Sequence, residues 1–462
     1  MNEWNEETIT RCDTVQKDQK KLKKILVVGS WAKEQITIEN IKRNPTYRVF
    51  AYMDTKNPGI ISLVDGYTIG DLDNIDDIVA YAKKQDIDLV LITTAAPLSL
   101  GVVDQLEKEN IRAFGPTKTA ARLESDKAFS RQLMKSHGIS AVPEFEVFDN
   151  VDDAVKFAEK LHWNVAVKPI GLTDGLGVRV FGEQLKNKEE VIQYIHQVFE
   201  KKIGGKSKVL IEEKMVGEEF TIQCLVNGTH IIATPAVQDF KKLLPHERGP
   251  NTASMGSYAD TDFLLPFMKQ KDYINALEII KKTLDAFYKE TREYCKGILY
   301  GQFMITANGL VLIEYNFRPG DPEWINTLSI LKDNIVDVIF DLMNGKSRSL
   351  HFDKKATVCK YIVPEGYPKK LNEILHVRFD QDKIKKMGVG IYYSSGLDSQ
   401  DHLRNGCERG IAFVAKGDTI YKANGLVESA ISTINGDFHY RWDIGSPELV
   451  MLKIQRVEGV RC

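Results

Sequence analysis

Three polar side chains occupy alternate positions where a short apolar run ends. Glu314, Asn316 and Arg318 follow residues 310–313, a run typical of a buried strand. Side chains on a strand alternate between its faces, so these three point the same way. A carboxylate and an amide oxygen suit Mg²⁺, which completes its shell with nucleotide phosphates, and arginine pairs with phosphates or carboxylates. The motif predicts a cation and phosphate site, with a solvated salt bridge at a strand end as the alternative.

Composition and charge exclude several classes of protein. The 462 residues carry a net charge of −2, which implies no bulk attraction to nucleic acid or to anionic membranes. The six cysteines are scattered without a C-x-x-C pair, so neither a zinc ribbon nor a disulfide scaffold is indicated. No apolar run is long enough to cross a bilayer, and the first residues lack the apolar core of a signal peptide. We therefore expect a soluble, cytoplasmic protein of two to four domains, with no nucleic-acid or membrane partner.

The first part of the chain alternates strands with helical segments. Apolar strands at residues 24–29, 47–53 and 89–93 are separated by helical lengths, which indicates a parallel sheet and a small Rossmann-type domain after a mobile tail at residues 1–23. The turn after the first strand, residues 29–33, lacks the glycines of a dinucleotide fingerprint. A hydride-transfer enzyme is therefore disfavoured.

A glycine-rich segment follows the apolar strand at residues 165–169. Gly171, Gly175 and Gly177 fall within seven residues, just before a β-rich run. Such a loop can bring backbone N–H groups to phosphates, although it lacks the G-K-[ST] ending of a P-loop. The alternative is an ordinary hairpin with a mobile tip.

The remaining pattern predicts a mixed α/β chain. The Asn308-Gly309 pair is a strong hairpin signal. In order, we expect a helix at 123–137 with Lys127 near its start, strands at 209–215 and 220–226 joined by a turn at 216–219, a long loop at 238–258, a helix at 273–291, a hairpin of 301–306 with 310–315, and a helix at 325–343.

These motifs resemble those of the phosphoribosylamine–glycine ligase (glycinamide ribonucleotide synthetase) family, within the ATP-grasp superfamily. The resemblance covers about residues 24–446, and its motifs occur in family order. It is carried by Gly115-Pro116-Thr117-Lys118, Ser125-Asp126-Lys127-Ala128-Phe129, Ile211 to Phe220, Gly249-Pro250-Asn251-Thr252, Met255-Gly256-Ser257-Tyr258, Glu314 to Glu323, Pro364-Glu365-Gly366-Tyr367-Pro368 and Tyr440 to Gly445.

The resemblance implies an architecture. It is an α/β ATP-grasp fold with a Rossmann-like pre-ATP-grasp domain at residues 24–124. The ATP-grasp domain would span 125–350, with a lid at about 140–215, and a C-terminal α+β domain would span 351–462. A monomer or a homodimer is implied.

The resemblance also implies an ATP-dependent ligase that joins a carboxylate, such as glycine or another amino acid, to a small-molecule amine through an acyl phosphate. Its implied site has four parts. Lys127, Lys168, Gly175 and Gly177 would hold ATP phosphates, while Glu212 and Met215 would meet adenine and Glu219 the ribose. Glu314 and Asn316 would bind Mg²⁺, with Mn²⁺ as another possibility. Arg318, Lys241 and Asp239 would be catalytic. Asn251, Thr252, Arg318 and Asp321 would contact substrates.

The departures from the family pattern cluster on the amine side. The family's G-S-G-G-R-E-H is changed at Trp31 and Ala32, its G-P-E at Ala95, and its D-H-K-R at Phe240. The lid's G-K-G has Leu176 in place of lysine. Our hypothesis is a divergent paralogue that still makes an acyl phosphate but couples a different amine. The alternatives are an ordinary phosphoribosylamine–glycine ligase and a catalytically silent nucleotide-binding protein.

Overall fold

The first sheet in the described part of the chain has five parallel strands, in the order β3-β2-β1-β4-β5. The computed structural model describes residues 22–171, 177–346, 348–369, 375–397, 403–404 and 409–461. The first elements are β1 (Lys23–Val28), α1 (Ala32–Lys42), β2 (Tyr47–Met53), α2 (Pro58–Ile61), β3 (Gly66–Ile69), α3 (Ile75–Gln85), β4 (Leu89–Ile92), α4 (Ala95–Leu100), α5 (Val102–Lys108) and β5 (Ala113–Phe114). The three predicted strands and the Rossmann-type arrangement are confirmed. Most of the predicted tail lies outside the described residues, and the first strand begins at Lys23.

The strand order of this sheet reverses between β1 and β4. Both strands are parallel neighbours, with Val28 opposite Ile92 at their carboxyl ends. In open parallel sheets, ligands bind in the crevice beyond the carboxyl ends at such a reversal. The turns that begin at Gly29 and Thr93 are therefore placed to form one wall of a site.

A four-stranded antiparallel sheet of order β6-β9-β7-β8 comes next, and we call it the lid sheet. The elements of this region are α6 (Arg122–Ser125), α7 (Lys127–Ser136), β6 (Phe145–Phe148), α8 (Val151–Lys160), β7 (Val165–Pro169), β8 (Arg179–Val180), α9 (Lys188–Glu200), a 3₁₀ turn (Ile203–Gly205) and β9 (Val209–Glu213). The apolar faces of α8 and α9 pack against β7 and β9 in a small core of their own.

A second antiparallel sheet of order β11-β10-β16-β17, the central sheet, carries the polar motif. The elements here are β10 (Gly217–Asn227), β11 (His230–Ala233), β12 (Gln238–Asp239), β13 (Lys242–Leu244), β14 (Arg248–Asn251), β15 (Gly256–Ala259), α10 (Gln270–Thr291), β16 (Lys296–Thr306), β17 (Gly309–Asn316), α11 (Glu323–Ile330) and α12 (Ile335–Met343). β16 and β17 pair as the predicted hairpin, with Thr306 opposite Gly309 at the turn.

The C-terminal sheet has the order β12-β15-β18-β23-β20. Its remaining elements and the flanking helices and short strands are β18 (Ala356–Ile362), β19 (Val377–Arg378), α13 (Gln381–Lys386), β20 (Val389–Tyr393), β21 (Gly396–Leu397), β22 (Leu403–Arg404), β23 (Ile411–Gly417), α14 (Ile420–Ile431), β24 (Asn435–Gly436) and α15 (Pro447–Arg461). Because β12 and β15 belong to this sheet, the C-terminal region contributes directly to the surface around Asp239. In the described ranges, no helix is long and apolar enough to cross a membrane.

Two predicted helices are each divided in two. The helix predicted at 123–137 breaks at Asp126, whose backbone is not helical. Asp126 precedes α7, and its carboxylate accepts a hydrogen bond from the Phe129 N–H. Aspartate favours this capping position because it satisfies a helix N–H group that has no intrahelical partner. The helix predicted at 325–343 divides in the same way at Asn334, which caps α12 by accepting from the Val336 N–H.

Two loop predictions were wrong. The segment 238–258 contains β12 to β15 rather than a long loop, because its strands pair with remote partners such as β18. The turn predicted at 216–219 is shorter, since β10 begins at Gly217, which pairs with Thr306 of β16. Pairing with remote strands overrides local preference at both places.

Candidate active site

One cavity of about 1040 Å³ lies between the first sheet, the lid sheet, the central sheet and β12. It brings together nearly all the residues that the sequence predicts for the site. These are Lys127, Lys168, Glu212, Met215, Glu219, Asp239, Lys241, Asn251, Thr252, Glu314, Asn316, Arg318 and Asp321.

The two predicted lid glycines do not join this group. Gly175 lies outside the described residues. Gly177 does not line the cavity, and its carbonyl accepts a 2.5 Å hydrogen bond from the Tyr194 hydroxyl on α9. Gly177 is therefore tied to the lid's own core.

The end of β17 is shaped by a bulge. Gln302 of β16 pairs with Glu314, whereas the next residue, Phe303, pairs with Leu312, so Ile313 is left over in the ladder. A bulge leaves its extra residue unpaired and re-aims the neighbouring side chains. The Ile313 carbonyl instead accepts hydrogen bonds from Arg131 Nη2 at 2.6 Å and from Lys168 Nζ at 3.5 Å. The bulge thus joins the central sheet to the lid sheet behind Glu314.

Arg318 is held in place by a second acid that the sequence did not reveal. Its Nε lies 3.2 Å from Oε1 of Glu124, and the other oxygen of Glu124 accepts a 2.8 Å hydrogen bond from the Phe317 N–H. Arg318 Nη2 also lies 3.5 Å from the amide oxygen of Asn316. The predicted alternation is confirmed in its result, since Glu314, Asn316 and Arg318 all face the cavity.

A buried ion-pair network forms the floor of the lid side. Both oxygens of Glu212 are engaged at 2.5 Å, one by Arg131 Nε and the other by Lys168 Nζ. Burial by itself would raise the pKa of Glu212, but the charges and hydrogen bonds of Arg131 and Lys168 lower it to about 2. Lys127, the first residue of α7, donates a 2.9 Å hydrogen bond to the Gly171 carbonyl at the start of the glycine-rich segment. The Glu212 carboxylate is therefore committed to two cations.

Lys241 is surrounded by acids on the opposite wall. Its Nζ donates a 2.9 Å hydrogen bond to Gln302 Oε1 and lies 3.8 Å from Glu219, whose carboxylate also accepts from the Gln302 amide. Burial would lower the pKa of Lys241, but the carboxylates of Glu219, Asp239, Glu314 and Glu323 raise it. The ammonium therefore persists across the ordinary pH range.

The cavity carboxylates have opposite electrostatic environments. Burial acts to raise the pKa of Glu314, but Lys241, Lys127, Lys168 and Arg318 lower it overall. For Asp239, burial dominates and raises the pKa to about 7, since Glu323 and Glu219 offset the attraction of Lys241. Glu314 is thus held as an anion, whereas Asp239 exchanges a proton near neutral pH.

Two of the residues predicted to contact substrates, Thr252 and Asp321, line the cavity and also make contacts within the protein. Thr252 lines the cavity, but its backbone N–H and its hydroxyl both donate to the Lys241 carbonyl, at 2.7 and 2.8 Å. Asp321 Oδ1 accepts a 2.5 Å hydrogen bond from the Tyr361 hydroxyl and lies 2.9 Å from Arg409 Nη2. Arg409 also donates to the carbonyls of Ala253 and Ser254. Thr252 therefore helps to hold the backbone at Lys241, and Asp321 helps to hold Tyr361 and Arg409, while both line the cavity.

The wall at the strand-order reversal contains two of the four altered positions. Trp31 and Ala95 line the cavity, and the Trp31 N–H donates a 2.8 Å hydrogen bond to Glu34 within the protein. Ala32 and Phe240 do not line it: Ala32 is fully buried at the start of α1, and Phe240 packs on Tyr258 in the core. Alternation along the chain sends Asp239 and Lys241 into the cavity and Phe240 away from it. Phe240 and Ala32 therefore make no direct contact with the cavity, and their effect on the amine site stays a prediction.

Sequence reasoning missed Arg131, Glu124, Gln302 and Arg409. Arg131 lies four residues after Lys127 on α7, and this spacing places both on one helix face, which was an available signal. Gln302 lies opposite Glu314 in the predicted hairpin. The position of the turn does not predict this pairing, because the bulge shifts the register between Gln302 and Phe303. Glu124 and Arg409 gave no local signal.

Comparisons with known proteins agree with this architecture. The model of the phosphoribosylglycinamide synthetase N domain matches residues 23–124, and the model of its ATP-grasp (A) domain matches residues 125–324. A phosphoribosylamine–glycine ligase of Methanosphaera stadtmanae is 40% identical over 439 residues, covering 95% of this chain and all of the relative. The enzyme of the same name from Methanothermobacter thermautotrophicus is 42% identical over 438 residues, with 95% and 100% coverage.

Solved structures share the fold at low sequence identity. A phosphoribosylamine–glycine ligase from Thermotoga maritima has a TM-score of 0.76 at 24% identity, covering 91% of this chain and 100% of that one. The biotin carboxylase domain of the Hydrogenobacter thermophilus 2-oxoglutarate carboxylase, solved with MgADP, ADP and bicarbonate, has a TM-score of 0.69 at 18% identity, with 94% coverage of each chain. Together with the family models and the relatives above, this means that the chain belongs to the phosphoribosylglycinamide synthetase family and is an ATP-grasp, ADP-forming carboxylate–amine ligase.

Proposed function

We propose that this ligase activates a small carboxylate, glycine or another amino acid, with ATP and couples it to an amine other than phosphoribosylamine. The observation that carries the proposal is the contrast between two walls of one cavity. The wall with Lys168, Glu314 and Arg318 keeps the charges that acid activation requires. The wall at the strand-order reversal presents Trp31 and Ala95, where the family pattern has a glycine and a glutamate.

ATP phosphates fit the lid side of the cavity. Lys127 and Lys168 supply cations there, and Lys168 is fixed by Glu212. Because the Glu212 carboxylate is already paired, residues 212–215 would meet adenine mainly through the backbone near Met215. Glu219 lies beside Lys241 rather than in an open turn. Its contacts with Gln302 and Lys241 use Oε2, so Oε1 would meet the ribose.

The donor set at the end of β17 fits Mg²⁺. Glu314 is held as an anion, and Asn316 adds an amide oxygen. In the described part of the chain, no group of three or more His, Cys, Asp or Glu side chains could hold a metal alone, which suits an ion that also takes phosphate oxygens and water. Bound Mg²⁺ would neutralise charge on the phosphates of ATP. Mn²⁺ stays a prediction.

The proposed reaction has two steps. First, a carboxylate oxygen attacks the γ-phosphorus of ATP, the bond to the β-phosphate oxygen breaks, and ADP leaves. Arg318 and Lys241 would stabilise the negative charge on the transferred phosphoryl group. Next, the amine nitrogen attacks the acyl carbon, the bond from that carbon to the phosphate oxygen breaks, and an amide and phosphate result. Both cations are preset by their partners, Glu124 for Arg318 and Gln302 for Lys241.

The test is a screen of the purified chain with ATP and Mg²⁺ over amino acids crossed with amines, including glycine with phosphoribosylamine. ADP release is measured for each pair, and products are identified by mass spectrometry. We expect an amide product with an amine other than phosphoribosylamine. Efficient formation of glycinamide ribonucleotide would contradict the altered amine, and ATP binding without ADP release on any pair would contradict the ligase activity.

The second candidate is phosphoribosylamine–glycine ligase itself. It is favoured by relatives of that name that are 40–42% identical along their whole length. Complementation of a purine-requiring strain distinguishes the two candidates, because only this second one restores growth without added purine.

A further inference from the structure

We propose that the Asp239 carboxylate accepts the proton that the amine loses when it attacks the acyl phosphate. This role rests on the proposed function, since it concerns the second step of that reaction. It assigns to one side chain the proton transfer that amide formation needs and that the phosphate-binding cations cannot perform.

The position of Asp239 suits this task. It ends β12, which pairs with β15 through Gln238 opposite Tyr258 and Asp239 opposite Ser257. Its carboxylate is half-buried and faces the cavity, on the same side of the chain as Lys241. Among the described residues, the hydrogen bond that its carboxylate accepts comes from its own backbone N–H, which leaves an oxygen open to a ligand.

Two other buried carboxylates of the cavity are held by cations. Glu212 is bound by Arg131 and Lys168, and Asp321 is bound by Arg409 and Tyr361.

The acids nearest to Asp239 are also occupied. Glu219 accepts from Gln302 and faces Lys241. Glu323 is almost fully buried, and its Oε1 accepts a 2.9 Å hydrogen bond from the Tyr300 hydroxyl. Glu314 is kept as an anion by the surrounding lysines and Arg318, as a metal ligand requires. Among these carboxylates, Asp239 is thus the one best placed to take up a proton.

The charges around Asp239 match a base that works near neutral pH. The groups that face it are Lys241, which lies between β12 and β13, Glu219 on β10, Glu323 on α11 and the Tyr300 hydroxyl on β16. Burial raises the pKa of Asp239 to about 7, with Glu323 and Glu219 adding to the rise and Lys241 opposing it. A general base is most effective when its pKa lies near the working pH. Above that pKa the carboxylate is ionised and can accept the proton.

The step balances. The lone pair of the amine nitrogen forms the bond to the acyl carbon, and the bond from that carbon to the phosphate oxygen breaks with its electrons going to phosphate. One N–H proton passes to Asp239 and then to solvent. Lys241 stays charged beside the departing phosphate throughout.

Hydroxylamine separates this role from acid activation. It is mostly uncharged at neutral pH and traps acyl phosphates as hydroxamates with little need of a base. We would measure hydroxamate formation and amide formation in Asp239→Asn, using the acid and amine of highest turnover in the screen. The expected result is hydroxamate within about twofold of the wild type and amide formation reduced about 10²–10⁴-fold, the usual contribution of general base catalysis.

Three further variants make the test specific. Asp239→Glu should recover part of the amide rate, and the rise of that rate between about pH 6 and pH 8 in the wild type should vanish in Asp239→Asn. Asp260→Asn is the matched control, because the pKa of Asp260 is also raised by burial but it does not line the cavity. Glu323→Gln tests the neighbouring acid and should keep the pH-dependent rise.

The outcomes separate the two claims. Three results would each overturn the role of Asp239. Two concern Asp239→Asn: equal loss of hydroxamate and amide formation, or an unchanged rate of amide formation. The third is that Glu323→Gln, rather than Asp239→Asn, loses the pH-dependent rise. Absence of hydroxamate in the wild type with every acid would contradict the proposed function and, with it, this role.

Discussion

The lid side of the cavity and its wall at the strand-order reversal are built in different ways. On the lid side, charged side chains from strands and a helix hold one another: Glu212 on β9 contacts Lys168 on β7 and Arg131 on α7, each at 2.5 Å. At the reversal, the wall is made by two turns that carry Trp31 and Ala95 at the starts of α1 and α4. Buried ion pairs tolerate little change, because removing one partner leaves the other buried and uncompensated. Turns tolerate substitution, because few buried contacts depend on them.

This contrast explains how one ligase scaffold could accept a new amine. The acid-activating charges are fixed by contacts among the lid sheet, the central sheet and α7. We propose that the wall at the strand-order reversal, here called the acceptor wall, can change without disturbing them. If the two walls are separable, a substitution in one wall should leave the function of the other unchanged.

Removing the carboxylate at the end of β17 should abolish activation. In Glu314→Gln, the anionic metal ligand is lost while its shape is kept, so we expect ADP release to fall on the order of 10³-fold. The measurement is ADP release with the best acid and with hydroxylamine. Glu278→Gln, at an exposed position on α10, should leave the rate unchanged. A Glu314→Gln variant with near wild-type ADP release would show that the cation site lies elsewhere.

Breaking the buried network should cost stability. Arg131→Met leaves Glu212 with one cation instead of two, and loss of one partner of a buried pair typically costs about 3–5 kcal/mol. Chemical denaturation measures the free energy of unfolding. The surface variant Arg48→Met should change it by less than about 0.5 kcal/mol. If Arg131→Met were as stable as the wild type, the lid side would not be the rigid half.

The same network predicts sensitivity to acid. The pKa of Glu212 falls from 4.5 to about 2 on folding, so its contribution is fully present above pH 4.5 and is lost as the pH falls through 2. By linkage this amounts to about 3 kcal/mol. The free energy of unfolding of the wild type, compared with Glu212→Gln, should show a pH-dependent difference between pH 4.5 and 2. A constant difference across that window would contradict the ion-paired state of Glu212.

Restoring the family residues at the acceptor wall should change amine choice without changing activation. Trp31→Gly with Ala95→Glu should raise kcat/KM for phosphoribosylamine at least about tenfold, equivalent to about 1.4 kcal/mol. Hydroxamate formation should stay within about twofold. A glutamate is tolerated at position 95 because it lies in the first turn of α4, where the helix dipole favours a negative charge. Trp442→Gly, exposed outside the cavity, is the control. Parallel loss of hydroxamate in the double variant would show that the walls are coupled.

The smallest effect is expected at Phe240. Although the family has histidine there, Phe240 faces the core and not the cavity. Phe240→His should therefore leave kcat/KM for the amine within about twofold while lowering the free energy of unfolding by about 1–3 kcal/mol. Steady-state kinetics and denaturation check the two parts. A marked change in amine preference would mean that this position reaches the substrate after all.

Much of the fold and most of the site followed from sequence patterns and motifs. Some features depend on local sequence patterns, which can be read directly from the sequence. They are the parallel first sheet, the hairpin across Asn308-Gly309 and the alternation of Glu314, Asn316 and Arg318. The strands at 238–259 and the orientation of Phe240 depend on pairing with β18, a hundred residues later. Local sequence does not encode that pairing. The partners Glu124 and Arg409 were invisible for the same reason, since their contacts are made only by the tertiary fold.

We propose that this ligase retains acid activation while its amine acceptor has changed. The most direct measurement compares hydroxamate formation with glycinamide ribonucleotide formation by the same wild-type preparation. Hydroxamate is followed with ATP, Mg²⁺, hydroxylamine and each amino acid, and glycinamide ribonucleotide with glycine and phosphoribosylamine. We predict hydroxamate with at least one amino acid and little or no glycinamide ribonucleotide. Glycinamide ribonucleotide formed at a rate comparable to hydroxamate, or no hydroxamate at all, would contradict it.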